Sequence, residues 1–432
     1  MPHTQFHNGR VVLHKGDCLE VVRTMPDNSI DSVCTDPPYA LVSIVKRFGA
    51  EGAAPAQGGV YARASAGFMG KKWDTGETAF AVEFWAEILR VLKPGGHVAA
   101  FGGTRSYHRL ACAIEDAGFE IRDQLAWVYG TGFPKSHDVS KGIDKAAGAE
   151  REVLGRRTDG RYATPMEVSG RSAGIMGEVV ERLAPDITAP ATAAARQWKG
   201  WGTALKPAWE PICLARKPLS EKTVAANVLR WGTGAINIGA TRIDATDKTP
   251  APLGCYGGSS IGPNGHSGAR NGSQDSLGRF PANLCHDGSD EVLAAFPESK
   301  GQLRATGPEF ERHANVYGKY AGVTAHEPRG DSGSAARFYY SAKASKTDRA
   351  GSRHPTVKPV KLMQWLVRLL TPPGGTTLDP FAGSGTTGAA AFLGGFNAVL
   401  IEREAEYQAD IERRIGALEE QPVAAPDLFA CA

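Results

Sequence analysis

The sequence predicts an α/β fold, a doubly wound and mostly parallel sheet, and three observations carry that prediction. Short apolar strands alternate with amphipathic helices early in the chain. The strand Ile30 to Cys34 runs straight into Thr35-Asp36-Pro37-Pro38-Tyr39. Far downstream, a second short strand runs into the glycine turn Asp379-Pro380-Phe381-Ala382-Gly383-Ser384-Gly385 and then into a helix of small residues. Alternating strands and helices imply crossovers between parallel strands, and open sheets of that kind bind ligands at the strands' carboxyl edge.

In chain order, Val11-Val12-Leu13 is the first strand of that sheet, and it leads to Gly16-Asp17-Cys18-Leu19. Asp17 stands where a carboxylate is favoured, just ahead of a helix. Ile30 to Cys34 is the next strand. Two prolines end its ladder and send the chain away in a fixed, extended direction, holding Asp36 and Tyr39 at the carboxyl edge. A carboxylate beside an aromatic face suits a planar base with an exocyclic amine: Asp36 and a carbonyl of the proline turn take the N–H bonds while Tyr39 stacks. An ordinary strand-ending turn can hold the same four residues, so this motif gains its meaning only with a second one. Cys34 reads as a buried strand residue rather than a nucleophile, since free cysteine is commonly buried and no base stands nearby.

A helix from about Ala79 to Leu92 sets Phe80, Phe84, Ile88 and Leu92 on one face and stops at Lys93-Pro94-Gly95-Gly96. Strand His97 to Phe101, helix Tyr107 to Ala117 and an antiparallel pair through Ile121 to Tyr129 follow. The remainder of the sheet comes from strand Thr376 to Leu378, the glycine turn, the helix Ala389 to Leu393 and strand Ala398 to Ile401. Gly383-x-Gly385-x-x-Gly388 has the spacing of a dinucleotide-binding turn, and Glu402 closes the next strand, where an acid can hold ribose hydroxyls. Two features argue against a nicotinamide dinucleotide. Asp379 precedes the turn and would repel a pyrophosphate, and the turn opens the last fifth of the chain instead of the first. An acid at 379 suits the sulfonium and ammonium groups of S-adenosylmethionine.

D-P-P-Y followed much later by D-P-F-A-G-S-G-T-T resembles the β-class amino-methyltransferases of DNA (the N-4/N-6 DNA methylase family), whose catalytic half precedes their cofactor half. The similarity is strongest to the phage and prophage type of adenine-specific enzyme. It covers roughly residues 10–135, the phrase Gly278 to Leu284, and 337–415. Protein-glutamine methyltransferases also use P-P-Y, but as a rule after the cofactor turn. The resemblance implies a Rossmann-like, S-adenosylmethionine-dependent methyltransferase fold in circularly permuted motif order. It also implies S-adenosyl-L-methionine as cofactor and site-specific methylation of the N6 amine of adenine in DNA after base flipping. Cytosine N4 is the alternative acceptor. In the family an aspartate at position 36 goes mostly with adenine, and serine there more often with cytosine. A DNA-binding regulator that keeps the fold without the chemistry is the rival class, against which intact Asp36, Pro37, Tyr39 and the complete glycine turn count.

The same resemblance implies catalytic roles for Asp36, Pro37, Pro38 and Tyr39. It implies cofactor contacts at Asp17, Asp379, Phe381, Gly383, Ser384, Gly385, Thr386 and Glu402, with Thr356 and Lys358 of His354-Pro355-Thr356-Val357-Lys358-Pro359 beside the cofactor's methionine end. For Asp17 a plain helix-capping role stands as the alternative. For the H-P-T-x-K-P stretch it is a proline-rigidified entry into the helix Lys361 to Leu370.

At 432 residues and 42% hydrophobic content, the economical expectation is one α/β domain with a sizeable insertion. The expected division is 1–134 as catalytic half, 135–336 as target-recognition insertion, 337–418 as cofactor half and 419–432 as a flexible tail. Periodicity fails across the insertion. There Trp198, Lys199 and Trp201, with Lys206 and Trp209, set aromatics among cations, suited to stacking and phosphate contact or to a small tryptophan core. Residues 50–70, rich in glycine and alanine, followed by Lys71, Lys72 and Trp73, read as a lid over a flipped base or as disorder, with the two lysines as DNA contacts.

A net charge of +3 means that double-stranded DNA is held by local patches rather than a globally basic surface. Seven cysteines occur as singles, with no zinc spacing, which points to no metal and a reducing compartment. With no signal pattern and no membrane-length apolar run, a cytoplasmic protein is expected, and monomer and dimer are equally compatible with it. The stretch Gln421 to Phe429 ends in D-L-F, which looks like the peptide that bacterial proteins insert into the replication sliding clamp, or is a frayed tail.

Overall fold

The structure is a computed structural model. It describes residues 2–39, 78–130, 132, 136–156, 167–168, 180–181, 186–243, 278–300, 314–315, 318–319, 332–342, 345–352, 354 and 356–419. The expected lid with Lys71 and Lys72, and the tail with D-L-F, lie outside the described residues. Two compact units emerge, one of residues 1–130 with 209–432 and one of residues 131–208.

The first unit holds a sheet of ten strands. In chain order they are β1 (His3–Phe6), β2 (Val11–Lys15), β3 (Ile30–Thr35), β4 (Leu92–Phe101), β5 (Glu120–Val128), β6 (Trp209–Arg216), β7 (Leu284–His286), β8 (Tyr340–Ser341), β9 (Thr376–Asp379) and β10 (Asn397–Glu402). Their order across the sheet is β1-β2-β10-β9-β3-β4-β6-β5-β7-β8. From β2 through β4 every pair is parallel, so these strands end at one edge. β6 runs antiparallel to both β4 and β5 and therefore starts at that edge. β9 lies directly beside β3, with Thr377 opposite Ser32 and Leu378 opposite Val33, so the two motif strands are neighbours at the centre.

Period-two alternation explains the three layers. On β3 and β4, Val33, Val98 and Ala100 face one apolar cluster, while Cys34, Ala99 and Phe101 face the other. The first cluster is covered by α1 (Cys18–Thr24), α2 (Val82–Val91) and α3 (Tyr107–Asp116). In the second unit, α4 (Val139–Ala146) and α5 (Ala193–Gln197) pack together. Back in the first unit are α6 (Val224–Trp231) and α7 (Asp290–Ala295). The other face of the sheet is covered by α8 (Val360–Leu370), α9 (Thr386–Leu393) and α10 (Ala405–Gly416). With both faces covered, β3 is buried along its whole length, its polar residues Asp31, Ser32 and Thr35 included. Each fully buried Val, Leu, Ile or Phe contributes about 1.5–3 kcal/mol.

Two expectations change. The antiparallel pair through Ile121 to Tyr129 is one strand, β5, and its antiparallel partner is β6, with Trp209 opposite Val128 and Arg216 opposite Glu120. The stretch 135–336, expected as one insertion, supplies β6 and β7 to the large sheet, and the separate compact unit is 131–208. Inside that second unit the fully buried Asp144 carboxylate accepts from Ala191 N and Thr192 N at 3.0 Å, from Thr192 Oγ1 at 2.8 Å and from Arg151 Nη1 at 2.5 Å. Strand Val153–Arg156 pairs with Asp186–Thr188 beside it.

Candidate active site

β3 stops at Thr35, and Asp36 to Tyr39 leave the sheet as the two prolines dictate. Asp36 Oδ1 accepts the Tyr39 hydroxyl proton at 2.9 Å, and Asp36 Oδ2 accepts from Lys358 Nζ at 2.6 Å. Glu210, at the start of β6, has its Oε2 3.2 Å from the Tyr39 hydroxyl and 3.1 Å from Lys358 Nζ. The Lys358 ammonium also stands 4.7 Å from the Phe101 ring centroid and 5.5 Å from that of Tyr39. Two carboxylates and one ammonium leave this group with a net negative charge. Ser106 Oγ donates to Tyr39 O at 2.7 Å, fixing the end of the turn against the start of α3.

Burial alone would lower the Lys358 pKa, but the adjacent Asp36 and Glu210 carboxylates outweigh it and hold it above the usual lysine range. Burial, followed by the same two negative charges, pushes the Tyr39 phenol well up, so it keeps its proton. Tyr129 is pushed up to about 12 by burial and by Glu210.

The second motif forms beside the first. Asp379, at the end of β9, accepts from Thr35 Oγ1 at 2.7 Å, Thr387 Oγ1 at 2.5 Å and Phe381 N at 3.1 Å. Burial raises its pKa to about 6 in spite of these bonds. Glu402 accepts from Gly383 N and from Glu404 N, each at 2.8 Å, and burial lifts it to about 7. Gly385 has φ +75°, and a Cβ there would stand 3.0 Å from Ile411 Cγ1, so both backbone and packing call for glycine. Arg414 of α10 reaches under the turn, donating to Ser384 O at 3.1 Å, Ser384 Oγ at 3.2 Å, Thr386 Oγ1 at 3.0 Å and Asp348 O at 2.6 Å.

The remaining expected residues fall as follows. Asp17 caps α1, accepting from Leu19 N at 3.0 Å and Glu20 N at 3.4 Å. The Phe381 ring packs at 5.2 Å from that of Phe84. Thr356 is exposed, and its carbonyl lies 2.6 Å from His354 Nδ1. Lys358, expected beside a cofactor's methionine end, has its ammonium on Asp36 and Glu210. In the second unit Trp198 and Trp201 are 39% and 60% exposed and meet edge to face at 5.0 Å, with Lys199 exposed between them. Sequence reasoning missed Glu210, Tyr129, Ser106 and Arg414. The apolar run Ile212-Cys213-Leu214-Ala215 was the available sign that Glu210 opens a strand.

The profile of the N6/N4 DNA methylase family matches residues 30–159 and 191–413, which takes in both turns, Glu210, Lys358 and most of α10. The chain belongs to this DNA methylase family. S-adenosyl-L-methionine is the cofactor that comes with that membership. Over 159 residues the chain is 28% identical to the type II methyltransferase M.HindIII of Haemophilus influenzae, a match spanning 36% of this chain and 38% of that one. Over 71 residues it is 41% identical to YubD of Escherichia coli, spanning 16% and 31%. The chain thus spans about a third of the length of these relatives. Among solved structures, PvuII DNA methyltransferase, described as cytosine-N4-specific, aligns with a TM-score of 0.42 at 13% identity, over 95% of this chain and 87% of that one. M1.HpyAVI with its bound cofactor aligns at 0.38 and 14%, over 94% and 98%. No described helix is long and apolar enough to cross a membrane.

Proposed function

We propose that the chain is a site-specific DNA methyltransferase acting on the N6 amine of adenine, with the base turned out of the duplex. The observation that carries this reading is the adjacency of the two turns: the Asp36 turn leaves β3 beside the glycine turn leaving β9, joined by the 2.7 Å bond from Thr35 to Asp379.

The residues around the glycine turn fit S-adenosyl-L-methionine. Glu402, with its raised pKa near 7, is a carboxyl at the strand end where ribose hydroxyls are held. The negative balance of Asp36, Glu210 and Lys358 favours a cation nearby. In this reading Gly383, Ser384, Gly385 and Thr386 would form the cradle, with Asp379 and Phe381 beside it and Asp17 and Thr356 assigned to the cofactor by the family resemblance. When bound, S-adenosyl-L-methionine supplies a methyl group from a positively charged sulfur.

The protein's own work is done on the amine. Its lone pair is delocalised into the ring, so it must pyramidalise before it can attack. Hydrogen bonds from its two N–H groups to Asp36 and to a carbonyl of the Pro37-Pro38 turn favour that geometry. After transfer the nitrogen sheds one proton, for which the Asp36 carboxylate is the acceptor at hand. Extruding a base costs a few kcal/mol, and stacking on the Tyr39 ring offsets part of it. Holding the reactants in line lowers the barrier by on the order of 7–11 kcal/mol. Residues 131–208, with exposed Trp198, Lys199 and Trp201, take the target-recognition role, together with Lys71 and Lys72.

Aspartate at position 36 favours adenine over cytosine. The test is mass spectrometry of nucleosides from DNA treated with the purified protein and with Asp36→Ala. N6-methyladenine from the first and none from the second is expected. N4-methylcytosine alone would replace the target base, and no modified nucleoside at all would overturn the activity.

A further inference from the structure

Each Asp36 oxygen already accepts one hydrogen bond, from the Tyr39 hydroxyl at 2.9 Å and from the Lys358 ammonium at 2.6 Å, at the group to which a target amine must donate. Glu210 stands within reach of the same two donors, at 3.2 and 3.1 Å. A hydroxyl has one proton, so Tyr39 can serve only one carboxylate at a time, whereas an ammonium has three and can bridge both. Glu210 and Asp36 are therefore alternative seats for the hydroxyl, while the ammonium is already shared between them. Tyr129 is also a partner of Glu210, and the Phe101 ring centroid lies 4.7 Å from the ammonium.

We propose that Glu210 is a positioning residue: when the target amine reaches Asp36, the Tyr39 hydroxyl and the Lys358 ammonium shift onto Glu210, leaving Asp36 charged and open to the amine N–H. The proposal rests on the reading of Asp36 as the amine's acceptor. Charge explains why a second carboxylate is needed. An ammonium left to Asp36 alone would neutralise it and weaken it as an acceptor, because charge-assisted bonds are roughly twice as strong as neutral ones. With Glu210 present, the ammonium has another anion to satisfy it in a buried place, where an unpaired charge is costly.

Glu210→Gln keeps the side chain's volume. Tritiated methyl incorporation into unmethylated DNA is measured for wild type, Glu210→Gln, Lys358→Met and the double variant. The maximal rate of Glu210→Gln is expected to fall about tenfold or more with KM for DNA within about threefold. In the Lys358→Met background the same change is expected to cost less than about threefold, because no ammonium remains to be drawn off Asp36. Equal losses in both backgrounds overturn the proposal. A second readout needs no turnover: NMR titration of ε-13C-labelled lysine in the free protein. Lys358 of Asp36→Asn is expected to stay charged above the usual lysine range, held by Glu210, and to fall below that range once Glu210→Gln is added. A low value in Asp36→Asn itself overturns the proposal. The expected titration with no incorporation by the wild-type protein supports Glu210 as the second seat and faults the methyltransferase reading instead.

Discussion

The Thr35 hydroxyl donates to Asp379 Oδ1 at 2.7 Å across a sequence separation of 344 residues, so the strand ends from which the two turns depart are held at a fixed spacing. Thr35→Val keeps the shape and removes the donor, leaving a buried carboxylate one partner short. The expected cost is about 1–3 kcal/mol, read as a lower urea midpoint, together with slower methyl transfer. An unchanged midpoint would show that the bond adds no stability.

Burial raises the Glu402 pKa from the ordinary 4.5 to about 7. A carboxyl that holds its proton more tightly when folded contributes stability that is full below pH 4.5 and is lost as pH rises through about 7. Relative to wild type, Glu402→Gln should therefore gain roughly 2–3 kcal/mol between pH 4.5 and pH 8. Parallel curves of unfolding free energy against pH for the two proteins would contradict this.

Arg414 supports the turn from beneath through four hydrogen bonds, to Ser384 O, Ser384 Oγ, Thr386 Oγ1 and Asp348 O. Arg414→Met takes this donor from the Ser384 and Asp348 carbonyls and leaves the Ser384 and Thr386 hydroxyls only each other, at 3.2 Å, and calorimetry should show S-adenosylmethionine binding weakened by about tenfold or more. Arg414→Lys should rescue little, since a point charge cannot reach both sides of the turn as the planar fork does. Full rescue by lysine would reduce the role of Arg414 to its charge.

Gly385→Val combines two penalties. The left-handed backbone at φ +75° costs of order 1–3 kcal/mol for a β-branched residue, and the new Cβ is driven toward Ile411 Cγ1, only 3.0 Å away. In the sequence this glycine belongs to a turn with cofactor-binding spacing, and in the structure its Cβ direction points at α10. A lower melting temperature and lost cofactor affinity should appear together. Retained affinity in calorimetry would remove the glycine turn from the cofactor site.

Some of this site is legible in the sequence because the local chemistry leaves no choice. Two prolines end a strand wherever they fall, which is why Asp36 and Tyr39 could be located. Gly383 and Gly385 sit between a strand and a helix of small residues, a context few other turns share. Glu210 was hidden by its neighbour. A proline within an apolar run argues against a central strand, yet Pro211 lies near the start of β6, where its carbonyl accepts from Gly102 N at 2.8 Å. Arg414 reads as one more charge on the polar face of a helix, and only the docking of α10 shows that it reaches back 30 residues to Ser384. Lys358 lies in a motif that the sequence marks, but its partners depend on where α8 places it against β3.

The adjacency of β3 and β9 also has a temporal side. A ribosome makes the Asp36 turn long before residues 376–379 exist, and during that interval β3 has a pairing edge with no strand to occupy it. Unfilled edges of this kind are where chains mispair and aggregate. The composite centre comes into being only when translation has passed α10, and a polypeptide released early would carry half of it to no effect. Assembly of the site is thereby tied to the synthesis of both halves: the Asp36 turn gains its neighbour only once the β9 strand has been made and paired.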